Sequence, residues 1–424
     1  MKFFVRTFAI AALALVGACT TPAPTMPVAQ TRPVEQKAPV TILVSIDGFR
    51  ADYLDRGITP ALSALARDGA RGPMMPSFPS KTFPNHWTLV TGRVPDHHGI
   101  VANKMEDPRR PGEVFTMASD DPFWWNEAEP IWVAAEKAGV RTATMFWPGS
   151  NVGWGGALVP HGWGAVEGGT RPADWQQFNQ QIDNTQRVNA VLDWVRRPSN
   201  IRPQFVTLYF DTVDTAGHQS GPDGAAVNEA IADVDRHIGD LVQGLKTLHQ
   251  PANLVIVSDH GMAATSSERV IALDTIADPS LYRIVESGPF AALQPTDGNE
   301  VALEKALVGK HGHMECWRKE EIPARLQYGS NPRIPPVFCL ADIGWLILPK
   351  AATDEFTGGT HGYDNQAPEM RALFIANGPA FRRGITLTPF ANVDIALLLR
   401  HLLGLPDIAD LDGGIAPLRP ALQN

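Results

Sequence analysis

Four short stretches of the chain are dominated by apolar and β-branched residues: Val40 to Ile46, Phe205 to Phe210, Leu254 to Val257 and Ala372 to Ala376. Runs of this length with no polar alternation suit strands covered on both faces, as in a parallel sheet. Between them lie stretches with helical spacing of apolar positions: Pro60 to Asp68, Ala225 to Leu248 and Pro389 to Leu403. Strands alternating with helices predict an α/β fold, a doubly wound and mostly parallel sheet flanked by helices. Ligands in such sheets gather beyond the carboxyl ends of the strands. Asp47 ends the first run, Asp211 to Asp214 follow the second, and Asp259-His260 follows the third. Acidic and imidazole groups meeting on one rim point to chemistry, because packing does not call for them.

The pattern weakens from 266 to about 355, a stretch with both remaining cysteines, Cys316 and Cys339, and the Pro-rich segment Asn331 to Pro336. It reads as a smaller α+β insertion that caps the site within a catalytic domain spanning 39–424. The N-terminus reads differently. Lys2 and Arg6 precede an apolar run, Phe8 to Val16, too short to span a bilayer and right for a signal-peptide core. Val16-Gly17-Ala18-Cys19 resembles a lipoprotein cleavage box, which makes 1–19 a signal peptide ending at a lipidated Cys19; a plain secretory signal is the alternative. Residues 20–38, rich in Pro, Thr and Ala, read as a flexible tether. The expected location is the bacterial periplasm, with a lipid anchor in the outer membrane. An isolated cysteine pair there most often forms a disulfide, Cys316 to Cys339, the alternative being two buried thiols.

The formal charge of −9 over 424 residues leaves no basic footprint for a stable complex with long nucleic acid. Small phosphate-bearing substrates fit such a chain if bound metal supplies positive charge locally. The candidate ligands come in four pieces: Asp47; Asp214 with His218; Asp259 with His260; and His361. Aspartate and histidine are a donor set that zinc accepts without thiolate, and six of them suffice for two ions. Asp214 and His218 are four apart, on one face of a helical turn. Asp259 and His260 are adjacent at a strand end, where neighbours point apart and can serve two different ions. His361 sits in a glycine-flanked loop. Thr82, in Pro79-Ser-Lys-Thr-Phe-Pro-Asn-His86, is the candidate nucleophile, a hydroxyl that needs a metal or base to take its proton. It also reads as the N-cap of a helix over His86 to Thr91. Asn103 has an amide for a non-bridging phosphate oxygen. Other histidines, His97-His98 and His311-Gly-His313, read as surface residues.

These segments resemble the nucleotide pyrophosphatase/phosphodiesterases of the alkaline phosphatase superfamily, in a compact bacterial form. The resemblance is carried by Ser45-Ile-Asp-Gly-Phe-Arg50, Phe78 to His86, Gly99 to Asn103, Tyr209 to His218, Ser258-Asp-His-Gly-Met262, Gly359 to Asn365 and Arg371 to Phe381. It implies an alkaline-phosphatase-like fold and two zinc ions. Asp214, His218 and His361 would hold one, and Asp47, Asp259 and His260 the other together with the Thr82 oxygen. It further implies attack by Thr82, a phosphothreonine intermediate, and an oxyanion site made by Asn103 and the Phe83 amide. A nucleobase would stack against Phe83 and Phe178, with Tyr209 nearby, and nucleoside 5′-monophosphates would be released. Alternatives within the superfamily are a choline-type lipid phosphodiesterase and a phosphomonoesterase. From outside it, the alternative is a surface-anchored binding protein on a dead hydrolase fold.

Overall fold

The computed structural model describes residues 37–159 and 166–423. The signal peptide, Cys19 and nearly all of the tether lie outside the described residues.

The main sheet has nine strands. Eight run in the order Ile385–Thr386, Ala70–Met75, Ala372–Asn377, Ala252–Val257, Val40–Ile46, Phe205–Phe210, Thr142–Met145 and Asp174–Gln176, and Phe390–Ala391 pairs with Ala70–Met75. From Ala252–Val257 to Asp174–Gln176 every pairing is parallel. Ala372–Asn377 runs antiparallel to both its neighbours. The sequence pattern is blind to this reversal, because burial on both faces demands an apolar run whichever way the strand points.

Alternate residues of the central strands feed two different cores. Val40, Ile42, Val44 and Ile46 pack with Leu254 and Ile256 beneath helices Pro60–Arg67, Asn184–Val195 and Ala225–Thr247. Leu43, Val255 and Val257 face the opposite layer, built by helices Thr82–Thr91, Ile131–Lys137 and Asp394–Leu402 around Trp87, Trp125 and Trp132. The result is a three-layer α/β sandwich. The last helix is shorter at its start than the pattern over 389–403 predicts, since Phe390 and Ala391 are drawn into the sheet edge.

A second, five-stranded antiparallel sheet lies between Tyr282 and Ala341, in the order Tyr282–Glu286, Phe290–Pro295, Val337–Ala341, Met314–Arg318 and Gly309–His311. Helix Glu300–Leu307 buries Leu303 and Leu307 in the core that this sheet shares with Tyr363 and Met370. Cys316 and Cys339 stand opposite each other on adjacent strands and are disulfide-bonded. This unit is fastened to the main domain by Arg333. Its buried guanidinium reaches the Asp107 carboxylate at 2.7 Å and the carbonyls of Gly99 and Trp124 at 2.7 and 2.9 Å.

Candidate active site

Asp47 stands one residue past the Val40–Ile46 strand, and Asp259 two past Ala252–Val257, so adjacent parallel strands deliver both to one rim. Gly48 follows Asp47 at φ 68°, and a Cβ there would lie 2.9 Å from the Cα of Asp214. Only glycine lets the two acidic segments approach this closely. Asp214 and His218 share one face of helix Thr212–Ser220. His361 follows strand Thr357–Thr360, which pairs with Ala263–Ser266 just beyond His260. The four sequence pieces therefore converge.

The distances divide them into two groups. His218 Nε2 is 3.4 Å from Asp214 Oδ2 and 3.2 Å from His361 Nε2, which is itself 3.7 Å from Asp214 Oδ1. His260 Nε2 is 2.9 Å from Asp259 Oδ2 and 3.4 Å from Asp47 Oδ1, so Asp259 and His260 meet in one group instead of pointing apart, because both lie past the end of the strand where side chains no longer alternate. His260 also lies within reach of Asp214 and His361, so the groups adjoin. Each imidazole spends its Nδ1 proton on a backbone carbonyl: His218 on Gly359 at 2.8 Å, His361 on Ser80 at 2.8 Å and His260 on Gly261 at 2.9 Å. That fixes the tautomer and leaves the Nε2 lone pair facing the centre. Two such lone pairs 3.2 Å apart, with carboxylate oxygens beside them, repel unless a cation sits among them.

Electrostatics agree. Burial, then the neighbouring charges of Asp259 and Asp214, pushes the Asp47 carboxyl well above its ordinary range. Burial also raises Asp214. Asp259 is raised by burial but held well below the usual range by the imidazoles of His260 and His86. Burial, reinforced by His260, Lys81 and His218, drives His361 far down, so this ring is neutral and ligand-ready. Asp47 Oδ1, Asp214 Oδ1 and Asp259 Oδ2 are buried without a hydrogen-bond partner. Orphaned carboxylate oxygens are costly, and three of them aimed at one centre fit a site built for metal. Hard oxygen and borderline imidazole donors, with no thiolate, match zinc and neighbouring first-row ions.

Thr82 is 8% exposed, and its hydroxyl donates to His260 Nε2 at 3.2 Å. It is not an N-cap. Helix Thr82–Thr91 is capped at Lys81 without a side-chain bond, and Thr82 is its first residue. The capping function comes from a distance: the Phe83 N–H, one of the helix's orphan donors, donates to Asn103 Oδ1 at 3.0 Å. This changes the oxyanion arrangement. The Phe83 amide is committed to Asn103, and because Oδ1 must face that N–H, the Nδ2 donors of Asn103 are turned away from it.

Tyr209 is committed too. Its hydroxyl donates to Asp47 Oδ2, and its ring meets Phe178 edge-on at 5.8 Å. Phe178 is 48% exposed, whereas Phe83 packs on Phe115 and Trp125 with centroids 6.2 and 6.0 Å away. Asp211, one turn before Asp214, instead binds Arg187 at 2.6 Å. His97 pairs with Asp412 and His313 with Asp342, both apart from the centre, whereas His98 is not at the surface as expected but wholly buried, its ring hydrogen-bonded to Thr88 and to the Ile100 N–H.

Two site residues carry no signal that single-sequence spacing could expose. His86 is wholly buried; it donates from Nδ1 to the Thr82 carbonyl at 2.8 Å, and its Nε2 accepts from Ser45 Oγ at 2.8 Å. The same ring is 3.3 Å from Asp259. Glu286 comes from the second sheet and lies 3.7 Å from Lys81 Nζ. Burial raises its carboxyl, with Lys81 opposing.

The family profile described as "Type I phosphodiesterase / nucleotide pyrophosphatase" matches residues 41–364. The chain is 36% identical over 406 residues to the bis(5′-adenosyl)-triphosphatase enpp4 of Xenopus laevis, covering 95% of this chain and 84% of that one. It is 35% identical over 412 residues to human ectonucleotide pyrophosphatase/phosphodiesterase family member 5, covering 95% and 80%. The human family member 5 structure superposes with a TM-score of 0.84 at 34% identity, covering 91% of this chain and all of that one. The murine counterpart, an inactive threonine-to-alanine variant in complex with AMP, superposes equally well, with a TM-score of 0.84 at 34% identity and coverage of 91% and 100%. With the profile spanning most of the catalytic region and relatives of this similarity along nearly the whole chain, the protein belongs to the type I phosphodiesterase/nucleotide pyrophosphatase family and is a phosphodiesterase.

Proposed function

We propose that the protein is a two-zinc hydrolase that cleaves nucleotide phosphodiester or pyrophosphate bonds through a covalent Thr82 intermediate, releasing nucleoside 5′-monophosphates. Asp214, His218 and His361 would hold one ion, and Asp47, Asp259 and His260 the other, beside the Thr82 oxygen. Zinc when bound supplies Lewis-acid stabilisation of charge on the attacking and departing oxygens. The observation that carries the reading is the facing Nε2 lone pairs of His218 and His361 at 3.2 Å, beside the partnerless Asp214 oxygen.

The chain's own residues account for the rest. His86 holds the first turn of the helix by the Thr82 carbonyl, which fixes where the hydroxyl points. Thr82 loses its proton to solvent, which returns one to the departing oxygen, and its Oγ1 bonds to phosphorus as the bond to that oxygen breaks. Water then cleaves the phosphothreonine ester, restoring the hydroxyl. Asn103, oriented by the Phe83 N–H, has Nδ2 left to donate to a non-bridging oxygen. Half-exposed Phe178 and the ring of Phe83 are the candidate faces for a base, a mode of stacking that tolerates every base. The murine relative captured with AMP supports a nucleotide as substrate.

The test is parallel hydrolysis of bis-p-nitrophenyl phosphate and p-nitrophenyl phosphate by the zinc-loaded fragment from residue 39, with Thr82→Ala beside it. The expected result is strong preference for the diester, and loss of turnover with retention of zinc in the variant. Preference for the monoester would overturn the reading. Lipidation at Cys19 and an outer-membrane location belong to the same proposal, and mass spectrometry of the mature N-terminal peptide tests them.

A further inference from the structure

Strand Tyr282–Glu286 of the second sheet breaks register against Phe290–Pro295. Ile284 pairs with Leu293 and Glu286 with Ala292, so two steps on one strand answer one on the other. A bulge of this kind re-aims the side chains that follow it, and bulges collect beside active sites. Here it turns Glu286 toward the two segments that flank Thr82 and Asn103. One carboxylate oxygen lies 3.7 Å from the ammonium of Lys81, the residue before Thr82. The other accepts the backbone N–H of Lys104, the residue after Asn103, at 3.2 Å.

Lys81 has little freedom to escape this pairing. Both its side chain and that of Glu286 are 12% exposed. Its ammonium lies 5.7 Å from the centre of the Phe290 ring. Gly362, next to His361, has φ 119°, and a Cβ there would come within 3.0 Å of the Lys81 Cε. A cation is thus locked beside the nucleophile, and a carboxylate from the inserted sheet is set against it.

We propose that Glu286 is a specificity-determining residue: by neutralising Lys81 it limits how strongly the site attracts additional negative charge on the group that departs from phosphorus when Thr82 attacks. The inference deepens the phosphodiesterase reading and rests on it for the position of the substrate phosphorus. A substrate whose leaving group carries further phosphates must compete with Glu286 for Lys81, whereas an uncharged aryl or alkyl ester has no such contest. Glu286 acts through Lys81 and touches no reacting atom.

Calorimetric titration of the zinc-loaded protein with AMP and with α,β-methylene-ATP, beside kcat/KM for ATP and bis-p-nitrophenyl phosphate, tests this. Glu286→Gln keeps an acceptor for the Lys104 N–H and removes only the charge. It should tighten α,β-methylene-ATP by about ten-fold while AMP stays within about two-fold, and raise the ATP to diester kcat/KM ratio by a similar factor. Lys81→Gln should move both preferences the opposite way, and it keeps the idea testable if the first variant does not fold. Parallel changes for all ligands would mean that Glu286 is a structural clamp only, and would overturn the proposal, as would no change in either variant. If the wild-type protein hydrolysed no diester yet the binding preference shifted as stated, the phosphodiesterase mechanism would fail and the role of Glu286 would stand.

Discussion

The imidazoles of His260 and His361 lie face to face, with 3.4 Å between centroids and 12° between planes. They come from segments separated by a hundred residues, one beside Asp259 and the other beside Asp214. The stack is the seam between the two ligand groups. Burial and the charges of His260, Lys81 and His218 keep His361 neutral, and the carboxylates of Asp259 and Asp214 lift His260 above its ordinary value against the pull of burial. Removing the His361 ring should therefore empty one group while leaving the other formed. If the proposed two-zinc centre is right, His361→Ala should bind about one zinc and the wild type about two, and the variant should lose on the order of a thousand-fold in kcat/KM. Metal analysis after dialysis checks it, and two retained equivalents would remove His361 from the ligand set.

His86 holds Thr82, Ser45 and Asp259 together. Partners of this kind orient ligands, and losing one typically costs 10–100-fold in metal affinity or activity, roughly speaking. His86→Gln should fold and weaken zinc binding at the Asp259 group by about that factor in a chelator competition. Unaltered zinc affinity and turnover would show the ring to be packing alone.

Arg333 is the buried cation that joins the inserted sheet to the Gly99–Asp107 loop, and Asp107 and Glu127 both answer it, at 2.7 and 3.1 Å. Without Arg333, Asp107 and Glu127 keep Arg109, at 2.6 Å from each, and the Gly99 and Trp124 carbonyls lose their donor, at a cost of about 1–3 kcal/mol. Arg333→Met is expected to lose that much in urea unfolding. It should also disturb catalysis, because the same loop carries Asn103. A loss below about 1 kcal/mol would contradict the network's role.

His98 gives the acid limb of stability. It is buried, its Nδ1 accepts from the Ile100 N–H, and burial, opposed by the Pro84 carbonyl, lowers it to about 3. The unfolded value is near 6.5. Because the folded value is the lower one, the unfolded chain binds the extra proton, so this contribution is full above the unfolded value and is lost as pH falls toward the folded one. The slope is up to about 1.4 kcal/mol per pH unit. His98→Gln should flatten the metal-free protein's stability profile between pH 6 and 4 by that slope relative to wild type. Parallel profiles would rule out the linkage.

Much of the fold was written in the chain's apolar runs. Val40–Ile46, Phe205–Phe210 and Ala252–Val257 are buried on both faces, and such strands must be continuous in sequence, so they are visible there. The ligand candidates were visible for a related reason. Asp47, Asp214 and Asp259 follow strands whose carboxyl ends share one rim by the rules of parallel sheets. The antiparallel course of Ala372–Asn377 was not visible, since direction leaves no trace in a doubly buried strand.

What the tertiary structure alone decided are relations between segments far apart in sequence. Asn103 caps the Thr82 helix from twenty residues away, which turns the Phe83 amide inward and gives the helix the cap that Thr82 does not provide. Tyr209 serves Asp47 through its hydroxyl, and His86 supports Thr82 from one turn further along its helix. Glu286 reaches Lys81 only because a bulge aims it there. The sequence by itself determined which side chains could ligate a metal or attack a phosphate, since that follows from their chemistry and from local periodicity. Which of them are neutral, which amides are free and which charges are paired depended on packing across hundreds of residues, where burial and a few ångströms set the energies.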